Sequence, residues 1–146
     1  MKRREFIKTC GAACIGATLF SVLLESCGAS KSVNATIEGS DLLVPLSDFE
    51  KVKDGEKQFR KYVIVHHDIL QNSICVYRFN ESDYSALLMR CPHQGAELQV
   101  FGDKLQCTAH GSEFSGRGEV QNGPADSNLR SFPIQIENNR LKISLK

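Results

Sequence analysis

Two short segments of the chain each combine a cysteine with a histidine at close spacing. They are Cys91-Pro92-His93 and Cys107-Thr108-Ala109-His110, and each directly follows a predicted strand. Thiolate and imidazole groups are ligands that soft and borderline metal ions prefer, so the two segments predict a metal site. Pro92 stiffens the first segment. Gly95 and Gly111, which follow the histidines, allow the backbone to turn tightly around a buried group.

The ligand types alone also fit structural zinc, which is commonly bound by cysteine and histidine together. Zinc motifs usually pair like ligands, as C-x2-C with H-x3-H. Here each segment mixes the two types, as C-x-H and C-x2-H. This mixed pattern resembles the Rieske [2Fe–2S] family, in which thiolates hold one iron and imidazoles hold the other.

The resemblance covers about residues 42–146 and implies that each chain binds one [2Fe–2S] cluster. By resemblance, Cys91 and Cys107 ligate the buried iron, and His93 and His110 ligate the outer iron near solvent. The resemblance implies electron transfer and points to no catalytic residue.

Further residues match the family outside the ligands, namely His110-Gly111-Ser112 with Phe114, and Gly123-Pro124-Ala125. The resemblance implies that Gly111, Gly123 and Pro124 surround the cluster, with the proline segment covering it. It also implies that the Ser112 hydroxyl donates a hydrogen bond to a cluster sulfur, which raises the reduction potential.

Four positions depart from the quinol-oxidising branch of the family. That branch has two further cysteines, joined in a disulfide, where this chain has Ala96 and Ala109. It has a tyrosine where this chain has Phe114, and an apolar residue where this chain has Gln94. The ligand segments therefore resemble those of Rieske ferredoxins more closely.

Residues 1–26 are predicted to be a signal peptide. The uncharged run at residues 9–24 would reach roughly 24 Å as a helix, which is less than the roughly 30 Å hydrocarbon core of a bilayer. Lys2-Arg3-Arg4-Glu5-Phe6-Ile7-Lys8 resembles the twin-arginine export motif, a route for proteins that have already folded. Leu24-Glu25-Ser26-Cys27 resembles a lipobox and predicts a lipoprotein modified at Cys27. An uncleaved membrane anchor is the alternative.

Residues 27–41 are rich in small and polar side chains and are predicted to be a flexible tether. Residues 42–146 are predicted to form the Rieske domain, an all-β antiparallel sandwich or barrel with two cluster-binding hairpin loops. β-branched and aromatic runs predict its strands, which are residues 42–46, 62–67, 73–79, 84–89, 98–101, 104–107, 133–137 and 140–145.

The composition excludes several classes of protein. The chain has 146 residues, 41% of them hydrophobic and 24% charged, which is typical of a globular domain and not of a disordered chain. A net charge of +1 lacks the basic excess of a nucleic-acid binder. Residues 48–61 mix basic and acidic side chains and are predicted to be a solvated turn region. Cys75, His66 and His67 are predicted to be structural.

Three functions remain open from the sequence. The first is a one-electron carrier, or the small subunit of a periplasmic redox system, whose partner is a cytochrome or a periplasmic oxidoreductase. The second is the iron–sulfur subunit of a quinol–cytochrome c reductase, and the third is the ferredoxin of a ring-hydroxylating dioxygenase. The predicted export signal places the protein at the outer side of the bacterial cytoplasmic membrane, which favours the first. The length of 146 residues leaves no room for the mononuclear-iron domain of an oxygenase.

Overall fold

Short runs of β-branched and aromatic residues form strands throughout residues 30–146, the part of the chain that the computed structural model describes. The predictions for the signal peptide and for Cys27 lie outside these residues. The strands are β1 (Ser32–Asn34), β2 (Thr36–Glu38), β3 (Asp41–Pro45), β4 (Glu50–Lys53), β5 (Glu56–Phe59), β6 (Tyr62–His66), β7 (Ile74–Arg78), β8 (Tyr84–Leu88), β9 (Gln99–Phe101), β10 (Lys104–Gln106), β11 (Glu113–Ser115), β12 (Val120–Asn122), β13 (Ser131–Phe132), β14 (Ile134–Glu137) and β15 (Arg140–Ser144).

Three sheets form three layers, and the predicted all-β sandwich is confirmed. The middle layer has the strand order β1-β6-β7-β8-β13, the base layer β14-β15-β3-β2, and the third layer β12-β11-β10-β9. The described pairs are antiparallel with one exception, since β1 runs parallel to β6. No helix within residues 30–146 has the length and hydropathy needed to cross a bilayer.

The middle sheet separates two hydrophobic cores, because its strands bury side chains on both faces. In β7, Ile74 and Val76 pack against the base layer, whereas Cys75 and Tyr77 pack against the third layer. Side chains alternate between the faces of a strand, so a strand buried on both sides reads as a continuous apolar run. The strand predicted at residues 73–79 is confirmed as β7 (Ile74–Arg78).

The segment predicted to be a flexible tether is partly folded. β1 and β2 lie within residues 27–41, and Val33 and Ala35 are buried in the base core. Val33 pairs with Val65 of β6, and Ile37 pairs with Leu42 of β3. Small polar residues surround these few apolar positions, which is why composition alone predicted a tether.

The region predicted to be a solvated turn contains a turn of 3-10 helix at Leu46–Phe49 and a β-hairpin made of β4 and β5. Residues 50–61 are exposed or partly exposed as predicted, but Phe49 is fully buried in the base core, and the hairpin was not predicted. The hairpin forms a two-stranded sheet that pairs with no other described strand. Alternation of apolar and polar residues is absent here because both faces of the hairpin are exposed, with only Lys51 and Gln58 partly covered.

Candidate metal centre

The first ligand loop, residues 91–96, joins β8 to the third layer through a closed backbone turn. The backbone N–H of Cys91 donates to the carbonyl oxygen of Ala96, and that of Gly95 donates to the carbonyl oxygen of Cys91, both at 2.8 Å. Gly95 adopts a φ of 77°, in the left-handed region that glycine tolerates best. The turn leaves the side chains between Cys91 and Gly95 on the outside of the domain.

The second ligand loop, residues 107–112, repeats this geometry. The Cys107 N–H donates to the Ser112 carbonyl oxygen, and the Gly111 N–H donates to the Cys107 carbonyl oxygen, again both at 2.8 Å. Gly111 has a φ of 83°. Two loops of different sequence therefore have the same hydrogen-bonding frame, and each presents one thiol and one imidazole.

The four predicted ligands come together at one end of the domain. Cys91 and Cys107 are each 1% exposed and belong to the core between the middle sheet and the third layer. His93 and His110 are exposed, and their ring centroids lie 5.0 Å apart with the ring planes at 85°. The thiols are therefore buried beneath a pair of neighbouring imidazoles at the surface.

This donor set fits a two-iron cluster better than a single ion. The two buried thiols form one pair, and the two exposed imidazoles, 5.0 Å apart, form another. A Rieske cluster requires one thiolate pair and one imidazole pair on separate irons, and the chain offers the two pairs at different depths.

The environment of Cys107 favours the ligating thiolate. Burial raises the pKa of the Cys107 thiol, but hydrogen bonds from the backbone N–H groups of His110 and Ala109 and from the Cys91 thiol outweigh it. The pKa of Cys107 therefore lies below its ordinary value. A lowered thiol pKa is typical of cysteines that bind metals.

Ser112 connects the second ligand loop to the proline segment at residues 123–125. Its side chain is fully buried, and its hydroxyl oxygen accepts a hydrogen bond of 3.0 Å from the backbone N–H of Ala125. Asn122 adds a second connection, because its side-chain amide donates to the Gly111 carbonyl oxygen at 3.3 Å. Gly123 and Pro124 are exposed beside these bonds.

The remaining positions singled out in the sequence lie in the ligand loops, in the core beside them and in β6 and the turn after it. Ala96 and Ala109 occupy the two ligand loops, and Phe114 is fully buried in the core that contains both ligand cysteines. Cys75 is buried as predicted and forms no disulfide. His66 bonds to Ser73 at 2.7 Å, and His67 accepts a hydrogen bond from the Ile69 N–H, so both rings take part in local hydrogen bonds.

An open groove of about 520 Å³ lies beside the first ligand loop, and its basic residues were not identified from the sequence. Arg90, Asn128 and Arg130 line it together with His93 and Gln94. Neither arginine forms an ion pair with any described residue. The pairing of β8 with β13 brings these distant arginines together, and no local pattern could reveal it.

Comparison with known proteins agrees with this geometry. The family model of the Rieske [2Fe-2S] domain matches residues 44–133. The oxygenase component of dicamba O-demethylase from Stenotrophomonas maltophilia is 37% identical over 76 residues, and the match covers 45% of this chain and 22% of the relative. The oxygenase component of chloroacetanilide N-alkylformylase from Rhizorhabdus wittichii (strain DC-6 / KACC 16600) is 34% identical over 64 residues, and the match covers 42% of this chain and 18% of the relative. The chain thus matches about a fifth of the length of each.

A solved structure shares the fold. The cyanobacterial plasma membrane Rieske protein PetC3 from Synechocystis PCC 6803 superposes with a TM-score of 0.51 at 24% sequence identity, covering 57% of this chain and 86% of that chain. The match to the family model over most of residues 42–146 carries the assignment. The chain belongs to the Rieske [2Fe-2S] family, and its domain binds one [2Fe–2S] cluster through which it transfers electrons.

Proposed function

We propose that this protein is a one-electron carrier, or the small subunit, of a redox system at the outer face of the bacterial cytoplasmic membrane. Its cluster ligands are Cys91, His93, Cys107 and His110. The observation that carries this proposal is the pair of exposed imidazoles, 5.0 Å apart, above two buried thiols. The cluster supplies a one-electron couple whose potential is raised by histidine ligation.

The protein buries one side of the proposed cluster site and leaves the other side at the surface. The core around Cys91 and Cys107 keeps water from the thiolates, while His93 and His110 reach the surface where a partner docks. Arg90 and Arg130 place positive charge beside that surface, which favours a partner with an acidic docking face. Such a partner is a cytochrome or another periplasmic oxidoreductase.

Iron and sulfide analysis, together with histidine replacements, tests the ligand assignment. The purified protein should contain about two irons and two acid-labile sulfides per chain, as one Rieske cluster requires. His93→Ala and His110→Ala should each lose the cluster or change its electron paramagnetic resonance spectrum. His66→Ala and His67→Ala are matched controls, because these histidines lie outside the ligand loops and should leave the spectrum unchanged. Stoichiometric zinc without sulfide would contradict the assignment.

The proposed location rests on the export motif and on Cys27. Replacing Arg3 and Arg4 by lysine keeps the positive charge and removes the arginine pair, so export of the folded protein should fail. Lys2→Gln is the control and should be exported normally. Cys27→Ala should release the domain from membranes or block processing. Attachment of a Cys27→Ala protein of normal size would favour the uncleaved anchor.

A ferredoxin role is the second candidate, because the relatives described above are oxygenase components. The reduction potential separates these roles from quinol oxidation. Ser112 and the histidines raise the potential, whereas the absence of a loop disulfide at Ala96 and Ala109 and of a hydroxyl at Phe114 lowers it. We expect a midpoint in the lower or middle part of the family range of about −150 to +300 mV. A midpoint near the top would favour the quinol–cytochrome c reductase subunit.

A further inference from the structure

The β4–β5 hairpin is a basic, exposed projection of the domain. Residues 50–61 contain three acidic residues, Glu50, Asp54 and Glu56, and five basic ones, which are Lys51, Lys53, Lys57, Arg60 and Lys61. Of the basic side chains, Lys57 alone forms an ion pair with a described residue, namely Glu50 at 2.7 Å. The hairpin therefore presents unneutralised positive charge to its surroundings.

The same hairpin exposes apolar side chains. Val52 is 78% exposed and Phe59 is 43% exposed. The register pairs Val52 with Lys57 and Glu50 with Phe59, so all four residues share one face of the two-stranded sheet. Lys57 of this face is paired with Glu50, and the unpaired Lys51 and Lys53 lie on the opposite face. The outer edge of β4, which pairs with no other described strand, therefore carries Val52 on one side and two unpaired lysines on the other. An apolar side chain flanked by basic ones is the combination that interfacial membrane segments present to anionic lipid.

The chain enters the domain next to this hairpin. Ser30 lines one surface depression together with Lys51, Phe59, Arg60 and Lys61. Cys27, the proposed lipid attachment site, precedes Ser30 by three residues, a stretch of chain that spans at most about 11 Å when fully extended. Folding of β1 and β2 shortens the tether to this length. A lipid at Cys27 would therefore hold the hairpin at the bilayer surface.

We propose that the β4–β5 hairpin docks on a bilayer surface containing anionic lipids through the free edge of β4, with Val52 in contact with the interface on one side of this edge, Lys51 and Lys53 next to lipid headgroups on the other, and Lys61 near them. This inference rests on the proposed attachment at Cys27. The charge of the hairpin complements that of the lipids. The short chain between Cys27 and Ser30 would keep the hairpin close to the bilayer surface.

Docking through the hairpin sets the orientation of the cluster site relative to the bilayer. The β9–β10 turn borders the same depression through Gly102, and Cys107 follows the other end of β10. The hairpin and the second ligand loop therefore lie at opposite ends of β10, a strand about 10 Å long. With the hairpin on the bilayer, His93 and His110 face the aqueous phase. Electrons are then exchanged with a partner that projects from the membrane or diffuses beside it, and not with a quinol inside it.

A single tryptophan tests the contact directly, because the chain has none of its own. Full-length, cluster-loaded Val52→Trp protein is bound to vesicles of phosphatidylglycerol and phosphatidylcholine in equal parts, with brominated acyl chains as quencher. Its emission should shift to the blue and be quenched. The control is Ile69→Trp, at a site that is 64% exposed but lies outside the hairpin, and it should show neither change.

A charge variant tests the role of the lysines. Adding Lys51→Gln, Lys53→Gln and Lys61→Gln to Val52→Trp should reduce the quenching to the level of the Ile69→Trp protein. Adding Arg140→Gln, Lys142→Gln and Lys146→Gln instead removes the same number of charges elsewhere and should leave the quenching intact. Absence of quenching in Val52→Trp, or equal quenching in pure phosphatidylcholine, would overturn the inference.

Iron content and reducibility are measured on the same samples. A cluster that loads and reduces normally in a protein without Val52→Trp quenching would overturn the docking inference and leave the proposed electron transfer intact. Quenching in a protein that contains no iron–sulfur cluster would instead refute the proposed function while supporting the membrane contact.

Discussion

The Ser112 hydroxyl can accept one hydrogen bond from the protein backbone and donate another to the cluster. Its oxygen accepts a hydrogen bond from the Ala125 N–H, so its proton is available for donation to a cluster sulfur. Hydrogen bonds to charged groups contribute about 1.5–3 kcal/mol, and about 1.4 kcal/mol corresponds to 59 mV in a one-electron couple. Ser112→Ala should therefore lower the midpoint by about 60–130 mV in protein-film voltammetry.

Ser115→Ala is the matched control for this measurement. The Ser115 hydroxyl oxygen accepts hydrogen bonds from the Arg117 and Glu119 N–H groups in the turn between β11 and β12, away from both ligand loops. This variant should keep the original midpoint. Equal midpoints for Ser112→Ala and the unmodified protein would show that the serine proton does not reach the cluster.

Cys75 should be chemically inert although it is a free thiol. It is fully buried, and this burial raises the pKa of the Cys75 thiol despite its hydrogen bond with Tyr77. Because the folded-state pKa lies above that of the unfolded chain, ionisation of Cys75 opposes folding only at alkaline pH, above the unfolded pKa. Iodoacetamide at pH 8 should leave Cys75 unmodified in peptide mapping until denaturant is added. Ser127→Cys, on the exposed surface, should react under the same conditions.

The proposed cluster ligands could be singled out in the sequence because their spacing is local. Cys91 and His93 lie within one turn, and so do Cys107 and His110, so residue order alone displays the mixed pairs. The basic groove was not visible. Arg90 and Arg130 are brought together only by tertiary structure, and an isolated arginine carries no pattern of its own.

Among the elements, strands with a clear apolar pattern were predicted well, and so were the short β9 and β10, whereas several other short or exposed strands were missed. β3, β6, β7, β8, β14 and β15 bury at least one face or pair along their full length, and each was predicted within a residue or two. β9 and β10 have three residues each, and the Gly102-Asp103 turn between them marks them as a hairpin. β11 and β12 are equally short, and no alternation marks them. β4 and β5 lack a buried face, and pairing within the hairpin replaces burial.

The turn between β11 and β12 depends on glycine at position 118. Gly118 has a φ of 85°, and an added Cβ would lie 2.9 Å from Cδ2 of Leu87 and 3.4 Å from Cβ of Leu129. Gly39 has a φ of 65° and open space around it. Gly39→Ala should cost roughly 1–2 kcal/mol of stability from the left-handed backbone alone. Gly118→Ala should cost about 1–3 kcal/mol more, from the crowding.

Denaturant titration of the loaded protein measures both variants. The Gly118→Ala midpoint should fall well below that of Gly39→Ala. Leu87 and Leu129 both belong to the core that contains the ligand cysteines, so Gly118→Ala should also weaken cluster retention. Equal midpoints would mean that the Leu87 side chain moves aside without cost.

For the molecule as a whole, the charge beside His93 should govern the rate of electron exchange. Arg90 and Arg130 attract anions and repel cations at the groove. Arg90→Gln with Arg130→Gln should slow oxidation of the reduced protein by ferricyanide several-fold at low ionic strength. The oxidation by a cationic ruthenium hexaammine complex should not slow. At high salt, screening should remove the difference.

Arg140→Gln with Lys142→Gln is the control for this stopped-flow measurement, because both residues lie on β15 in the base layer. That variant should keep the original rate with both oxidants. A ferricyanide rate that falls equally in the two double variants would attribute the effect to net charge and not to the groove.

The pairing of β8 with β13 also has a consequence for how such domains diverge. The Leu88 N–H donates to the Arg130 carbonyl oxygen at 2.9 Å, so the chain leaves the middle sheet and returns to it at neighbouring points. All of residues 89–129 thus form an insertion with adjoining ends. The entropy cost of closing such an insertion grows only slowly with its length. Changes within this insertion can therefore alter the ligand spacing, the charge of the groove and the cluster potential together. The strand order of the middle and base sheets need not change.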